Sequence, residues 1–235
     1  KVMRKFRGIL NKITPQNFKK LVEQVMNLEI DTAEKLEGII DIVFEKAIRE
    51  PRYCVVYANL CHCLLPIKVS FENKELVFKT ILLNKCQKKF DKTYEHKTHN
   101  NTDQLVNEGL SPMFSRKKKH PSEQEEYEMW ERRRTLGNII FIGELFILKK
   151  ILTENIMHTC VWKLINRTDD ESLECLCELL STVGKDLDHD IAKPRMDQYF
   201  RQFNKIIDSK KTSSCVRFMI QDLRDLRLSN WVPRQ

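Results

Sequence analysis

The residues best able to do chemistry in this chain are its six histidines and eight cysteines, and their spacing decides whether they do. Cys61-His62-Cys63 has the composition of a metal-binding triplet. On a helix, however, residues i and i+2 point about 200° apart, so the two thiols cannot chelate one ion together. Cys175 and Cys177 fail for the same reason. His96, His99 and His120 fall in a polar stretch without ligand spacing. Ser213-Ser214 has no histidine near it in sequence and serves as a helix cap more readily than as a nucleophile. "GELF" and "GKDLD" lack the glycines and the strand context of a phosphate loop. No catalytic residue, metal site or cofactor is expected, and the chain reads as a non-enzyme.

What remains is binding surface. Arg132, Arg133, Arg134, Lys149, Lys150, Arg195, Lys210, Lys211 and Arg217 are candidate phosphate contacts. Few aromatic residues are interleaved with them, so base stacking and sequence readout are not expected. RNA binding through these positions would be backbone-driven and steeply salt-dependent. Solvated helix ends account for each of them individually just as well. Near the C-terminus "RFMIQDLRDLRLSNWVPR", Arg217 to Arg234, separates its faces on a helical wheel at about 100° per residue. Val216, Met219, Ile220, Leu223 and Leu226 share one sector. Phe218 lies on the opposite side beside Asp222 and Asp225, and Arg217 and Arg224 form a basic flank. A core helix explains the stripe but not the stray aromatic, which makes Phe218 with its two aspartates a candidate docking face.

These positions need a scaffold, and composition bounds it. A length of 235 residues with 41% hydrophobic content permits one large domain or two small ones. The chain opens on Lys1, as an excerpt of a longer protein would. No apolar run is long enough to span a bilayer, and Lys1, Arg4, Lys5 and Arg7 interrupt any signal-peptide pattern. The cysteines mostly sit in apolar helical stretches, as reduced core residues of an intracellular, cytoplasmic protein would. The net charge of +8 permits RNA or acidic protein surfaces as partners without selecting either.

Glycine is scarce and strand-type alternation is absent, so helices dominate. Val2, Met3, Phe6, Ile9, Leu10 and Ile13 form one stripe. Thr14-Pro15 then starts a second helix through Phe18, Leu21, Val22 and Val25. Asp31-Thr32-Ala33-Glu34 resembles a capping box ahead of a third, which Pro51 ends. Further helices are expected over Val55–Leu65, Leu76–Phe90 and Trp130–Leu148, then behind Thr153, behind Asp169 or Asp170 with Gly184 as a stop, from Pro194, and behind Thr212 or Ser213. The residues from Asp91 to about Tyr127 lack an apolar stripe and read as a flexible insert. First helices begin near residues 1, 33, 73, 153 and 193. A two-helix period of roughly 40 residues is that of HEAT repeats. The expected fold is all-α: a single α-solenoid domain over 1–235 of about five HEAT-type helix pairs, with the insert in the third.

Specific motifs support a family resemblance. "RGILNKITPQNF", "IDIVFEKAIREP", "YANLCHCL", "LLNKCQKKF", "RRRTLGNIIFIGELF", "DESLECLCELLSTVGKDLD" and "KPRMDQYF" occur in this order. Together they closely resemble the middle domain of eukaryotic translation initiation factor 4 gamma, the scaffold subunit of the cap-binding complex. Only the insert reads differently. Middle domains of nonsense-mediated-decay and nuclear cap-binding factors share the fold but would not be expected to share the "RFMIQDLRDLR…WVPR" ending.

The resemblance implies a non-catalytic scaffold that binds and stimulates the DEAD-box RNA helicase of the cap-binding complex. It also implies contacts with RNA, including structured leader elements, and with the multi-subunit ribosome-bound initiation factor. Helicase-binding positions of the family map onto Leu10, Ile13 (where Leu is expected) and Phe18, and later onto Phe141 and Phe218. Leu10 and Ile13 fall on an apolar stripe, so packing and docking explain them equally. Phe141 sits in a helix apolar on several sides, which favours core packing. Two other readings stay open: a module that chiefly binds RNA, and a repressive paralogue of the scaffold.

Overall fold

Three side chains turn back onto backbone amides and start helices where the sequence places caps. Thr32 accepts from the Lys35 amide at 3.2 Å, Asp169 from Ser172 at 2.9 Å and Ser213 from Val216 at 3.3 Å. The computed structural model describes residues 1–71, 74–100, 123–148 and 151–233. Its helices are α1 (Val2–Leu10), α2 (Phe18–Met26), α3 (Ala33–Arg49), α4 (Cys54–Leu64), α5 (Phe78–Asn100), α6 (Glu123–Ile147), α7 (Glu154–Ile165), α8 (Asp170–Leu187), α9 (Lys193–Ser209) and α10 (Ser214–Leu228). They form an all-α solenoid of consecutive helix pairs, with α6 stacked between α3 and α8, and α10 closing on α8. One apolar cluster runs through the array from Phe6 to Leu223.

Several expectations need correction. A two-stranded hairpin, β1 (Lys68–Phe71) and β2 (Lys74–Val77), follows α4, with Val69 paired to Leu76. Alternation over four residues per strand is too short to stand out in sequence. The hairpin takes Leu76, so α5 begins at Phe78. Nor does the helix stop at Phe90: it runs on to Asn100, and α6 begins at Glu123 rather than Trp130. The expected insert at 91–127 is therefore helical at both ends, and residues 101–122 of it lie outside the described residues. Thr14-Pro15 does not start α2. That helix begins at Phe18, because Asn17 folds the connection by accepting from the Thr14 amide and donating to the Lys12 carbonyl, both at 2.7 Å.

Gly184 does not end α8, which continues to Leu187. Its lack of a side chain serves another contact. Asn230 and Trp231 adopt left-handed φ values of 53° and 62°, turning the chain back so that the Trp231 indole lies over Gly184. A Cβ there would come within 2.1 Å of the ring. Such backbone is uncommon for a bulky residue and persists only where contacts hold it. Here the indole N–H donates to Asp188 at 3.1 Å and the ring meets Phe200 edge-on. Arg227 donates to both Asp188 oxygens at 2.7 and 3.0 Å and to Asp197 at 2.7 Å, with its guanidinium 4.6 Å from the Phe200 ring centre. Burial alone would push the Asp188 carboxyl up. The donors from Arg227 and Trp231 outweigh it and hold the group below the usual carboxylate range.

Polar contacts also join α7 to α9. Glu154 receives His189 at 3.0 Å and His158 at 3.3 Å, and the other ring nitrogen of His158 lies 3.0 Å from the Tyr199 hydroxyl. With Nε2–H donating to the carboxylate, Nδ1 accepts from Tyr199. Burial lowers the His158 pKa from its ordinary 6.5, with Arg195 adding to the effect and Glu154 opposing it. The unfolded chain therefore binds this proton first as pH falls, so stability is complete above about 6.5 and declines below it. Urea midpoints should fall between pH 7.5 and 5.5, and His158→Gln should flatten that slope. An unchanged slope in the variant would remove His158 as its source.

Candidate partner-docking surfaces

On α10 the buried stripe is Val216, Ile220 and Leu223, fixed against α8 and α9. Two polar contacts set its start: the Ser213 amide donates to the Asp170 carboxylate at 3.1 and 3.2 Å, and Arg217 donates to the Thr212 carbonyl. The stripe forces the opposite face outward. Phe218 is 65% exposed, and Asp222 and Asp225 are exposed with it. A large ring held in water beside two carboxylates contributes nothing to this chain's own core. That is the arrangement of an apolar anchor with an acidic rim.

The other candidate helicase positions are placed differently. Leu10 at the end of α1 and Ile13 in the α1–α2 connection are buried, and Phe18 is half-buried against the core at the start of α2. Phe141 is wholly buried on α6, its ring edge-on to Phe44 of α3 at 5.7 Å. Leu10, Ile13 and Phe141 can act on a partner only through the surface shape they support. Phe18 alone among these candidates keeps some accessible surface at the first repeat. The structure does not bring Phe18 and Phe218 together, since they stand on the first and last helix pairs.

Several candidate RNA-contacting cations are already engaged. Arg132 pairs with Glu174 of α8. Arg134 donates to both Glu45 oxygens at 2.8 and 2.9 Å and stacks 4.8 Å from the Trp130 ring centre. Arg217 donates to the neutral Thr212 carbonyl and keeps its charge. Arg133 and Lys211 are exposed, and exposed Lys210 ends α9 with a left-handed φ of 55°. Lys149 and Lys150 lie outside the described residues. Arg132 and the 211–213 turn both border the first turns of α8, through Glu174 and Asp170 respectively. Carboxylates of α8 thus border these cations.

The buried cysteines are no reactive alternative. Burial pushes the thiols of Cys86, Cys160 and Cys177 up to about 12 and that of Cys61 well above its ordinary value. Among the described residues no group of three or more His, Cys, Asp or Glu is placed to hold a metal ion, and no helix is long and apolar enough to cross a membrane. Sequence reasoning missed the Arg227–Asp188–Trp231 closure. Its only local signal was the Trp-Val-Pro-Arg exit.

Comparison with known proteins agrees with this architecture. The MIF4G domain family profile matches residues 3–230. Eukaryotic translation initiation factor 4 gamma 3 of Homo sapiens is 53% identical over 237 residues, covering 100% of this chain and 15% of the human protein. Eukaryotic translation initiation factor 4 gamma 1 of Mus musculus is 53% identical over 238 residues, with the same coverage of each. Eukaryotic translation initiation factor 4G of Arabidopsis thaliana is 42% identical over 236 residues, covering 98% of this chain and 13% of the plant protein. The chain thus spans about 15% of the length of its mammalian relatives.

Proposed function

Because this chain belongs to the MIF4G domain family, we propose that it is a non-catalytic scaffold of cap-dependent translation initiation, acting in the cytoplasm. In this reading it binds and stimulates a DEAD-box RNA helicase and contributes to binding RNA and the ribosome-bound initiation factor. The observation that carries the helicase assignment is Phe218, exposed on α10 opposite a buried stripe and flanked by Asp222 and Asp225. With Phe18 at the far end of the array, the solenoid offers two separated contacts on one frame. A frame of this kind suits a partner built of two mobile lobes. Contacts stronger with one lobe arrangement than another shift the partner's own equilibrium toward it.

The test is a pull-down of the helicase, with helicase ATPase activity measured alongside. Phe218→Ala, checked for folding by circular dichroism, should weaken binding about tenfold or more, as loss of a central anchor does. Full binding by the folded variant would remove Phe218 from the interface, and a helicase indifferent to the wild-type domain would sink the stimulation itself. The reading as chiefly an RNA-binding module is disfavoured by the internal ion pairs of Arg132 and Arg134. Apolar anchoring survives moderate salt, whereas a phosphate-driven complex fades.

A further inference from the structure

Between α5 and α7, the first helices of the third and fourth repeats, lies a groove of about 340 Å³. Its floor is apolar, formed by Cys86, Phe90, Ile142 and Cys160. Burial holds both thiols protonated, so they offer contact rather than nucleophiles. The rims are amides and a hydroxyl: Asn84 and Gln87 from α5, Asn155 and Thr159 from α7. On each helix these continue an exposed stripe. Thr80, Asn84 and Gln87 share one sector of α5, while Asn155, Thr159 and Trp162 share one of α7.

In a chain with 31% charged residues, two facing stripes without a net charge call for an explanation. The ionic groups at the groove, Asp91 and Lys163, pair with each other at 2.5 Å, and Lys163 also lies 5.8 Å from the Phe90 ring centre. Among the described residues lining the groove they leave no spare cation for a phosphate backbone and no counter-charge for an ionic peptide. A side-chain amide carries one donor group and one acceptor, as a main-chain peptide unit does, so the two can pair through two bonds. Trp162, exposed on the α7 stripe, adds a flat apolar surface beyond the groove.

We propose that this groove binds an uncharged, extended segment of another protein, seating one large apolar side chain on the Cys86–Phe90–Cys160 floor and pairing its main chain with Asn84, Gln87 and Asn155. The assignment does not depend on the helicase reading, which concerns other surfaces.

Methyl NMR of the whole chain tests it with three probes: an uncharged seven-residue peptide with a central phenylalanine, the same peptide with glycine there, and a uridine oligonucleotide. The phenylalanine peptide should produce saturable shifts at the Ile142, Ile156 and Leu83 methyls, and the other two should not. Asn84→Ala with Asn155→Ala, both on exposed rims, should weaken binding about threefold to tenfold while leaving the fold intact. Thr159→Trp, which fills the groove from its rim, should abolish the shifts. Equal shifts with the glycine peptide, displacement by the oligonucleotide, or no saturable shift at these methyls would overturn the proposal.

Discussion

Phe141→Ala is expected to cost about 3–5 kcal/mol of folding stability, read as a lowered urea midpoint with little change in slope. The ring has no exposed surface and meets Phe44 at 5.7 Å with the planes 77° apart, so truncation forfeits an edge-to-face pair and leaves a cavity between α6 and α3. Against a typical total of about 5–15 kcal/mol, that is a large fraction. Phe141→Leu keeps most of the volume and should cost less than about 1.5 kcal/mol. The pair of variants decides between packing and docking. If Phe141 works through packing, the proposed helicase binding, taken per folded molecule, is unchanged in Phe141→Leu. A leucine variant with a wild-type midpoint and no helicase binding would overturn that view of the residue.

Gly137→Ala should be costly for a different reason. In an ordinary helix interior the change gains roughly 1 kcal/mol, because alanine is the better helix former. Here the added Cβ would lie 2.2 Å from the Ile48 carbonyl oxygen and 3.0 Å from its carbon. Those atoms are backbone and cannot rotate aside, so α6 and α3 must separate just one turn from the Phe44–Phe141 contact. The sign therefore reverses, to a loss of about 3 kcal/mol or more. Gly143 provides the control on the same helix. Its Cβ would meet the side chains of Thr182, Val183 and Leu179 at 3.4 Å or beyond, and Gly143→Ala should shift stability by no more than about 1 kcal/mol. Equal midpoints for the two variants would mean that α6 does not approach α3 as closely as the structure has it.

The features legible in the sequence were those decided locally. Thr32, Asp169 and Ser213 start helices because a cap bonds an amide three residues on. The exposure of Phe218 followed from a single wheel, since one helix fixes which of its own faces oppose. The helical ends of the expected insert were missed because they lack an apolar stripe, although no glycine or proline breaks the segments 91–100 or 123–129. Gly184 was misread as a stop because the residue that needs its bareness, Trp231, is far away in sequence. Leu10, Ile13 and Phe141 stayed ambiguous because other helices decide whether a stripe is covered. The partners of Arg132 and Arg134 stand 42 and 89 residues away, beyond any local pattern. Candidate cations could be found in the sequence, but not which of them were already engaged.

The Trp231 closure also determines what indole emission can report. Of the three tryptophans, Trp130 and Trp162 are already exposed, while Trp231 lies half-buried over Gly184 with its N–H on Asp188. Denaturation followed by fluorescence therefore records mainly the last repeat coming apart, whereas far-ultraviolet dichroism averages every helix. In a solenoid each repeat leans only on its neighbours, so an end can fray while the middle holds. The gap between the two midpoints becomes a measure of how tightly the last repeat is coupled to the rest, with no label added.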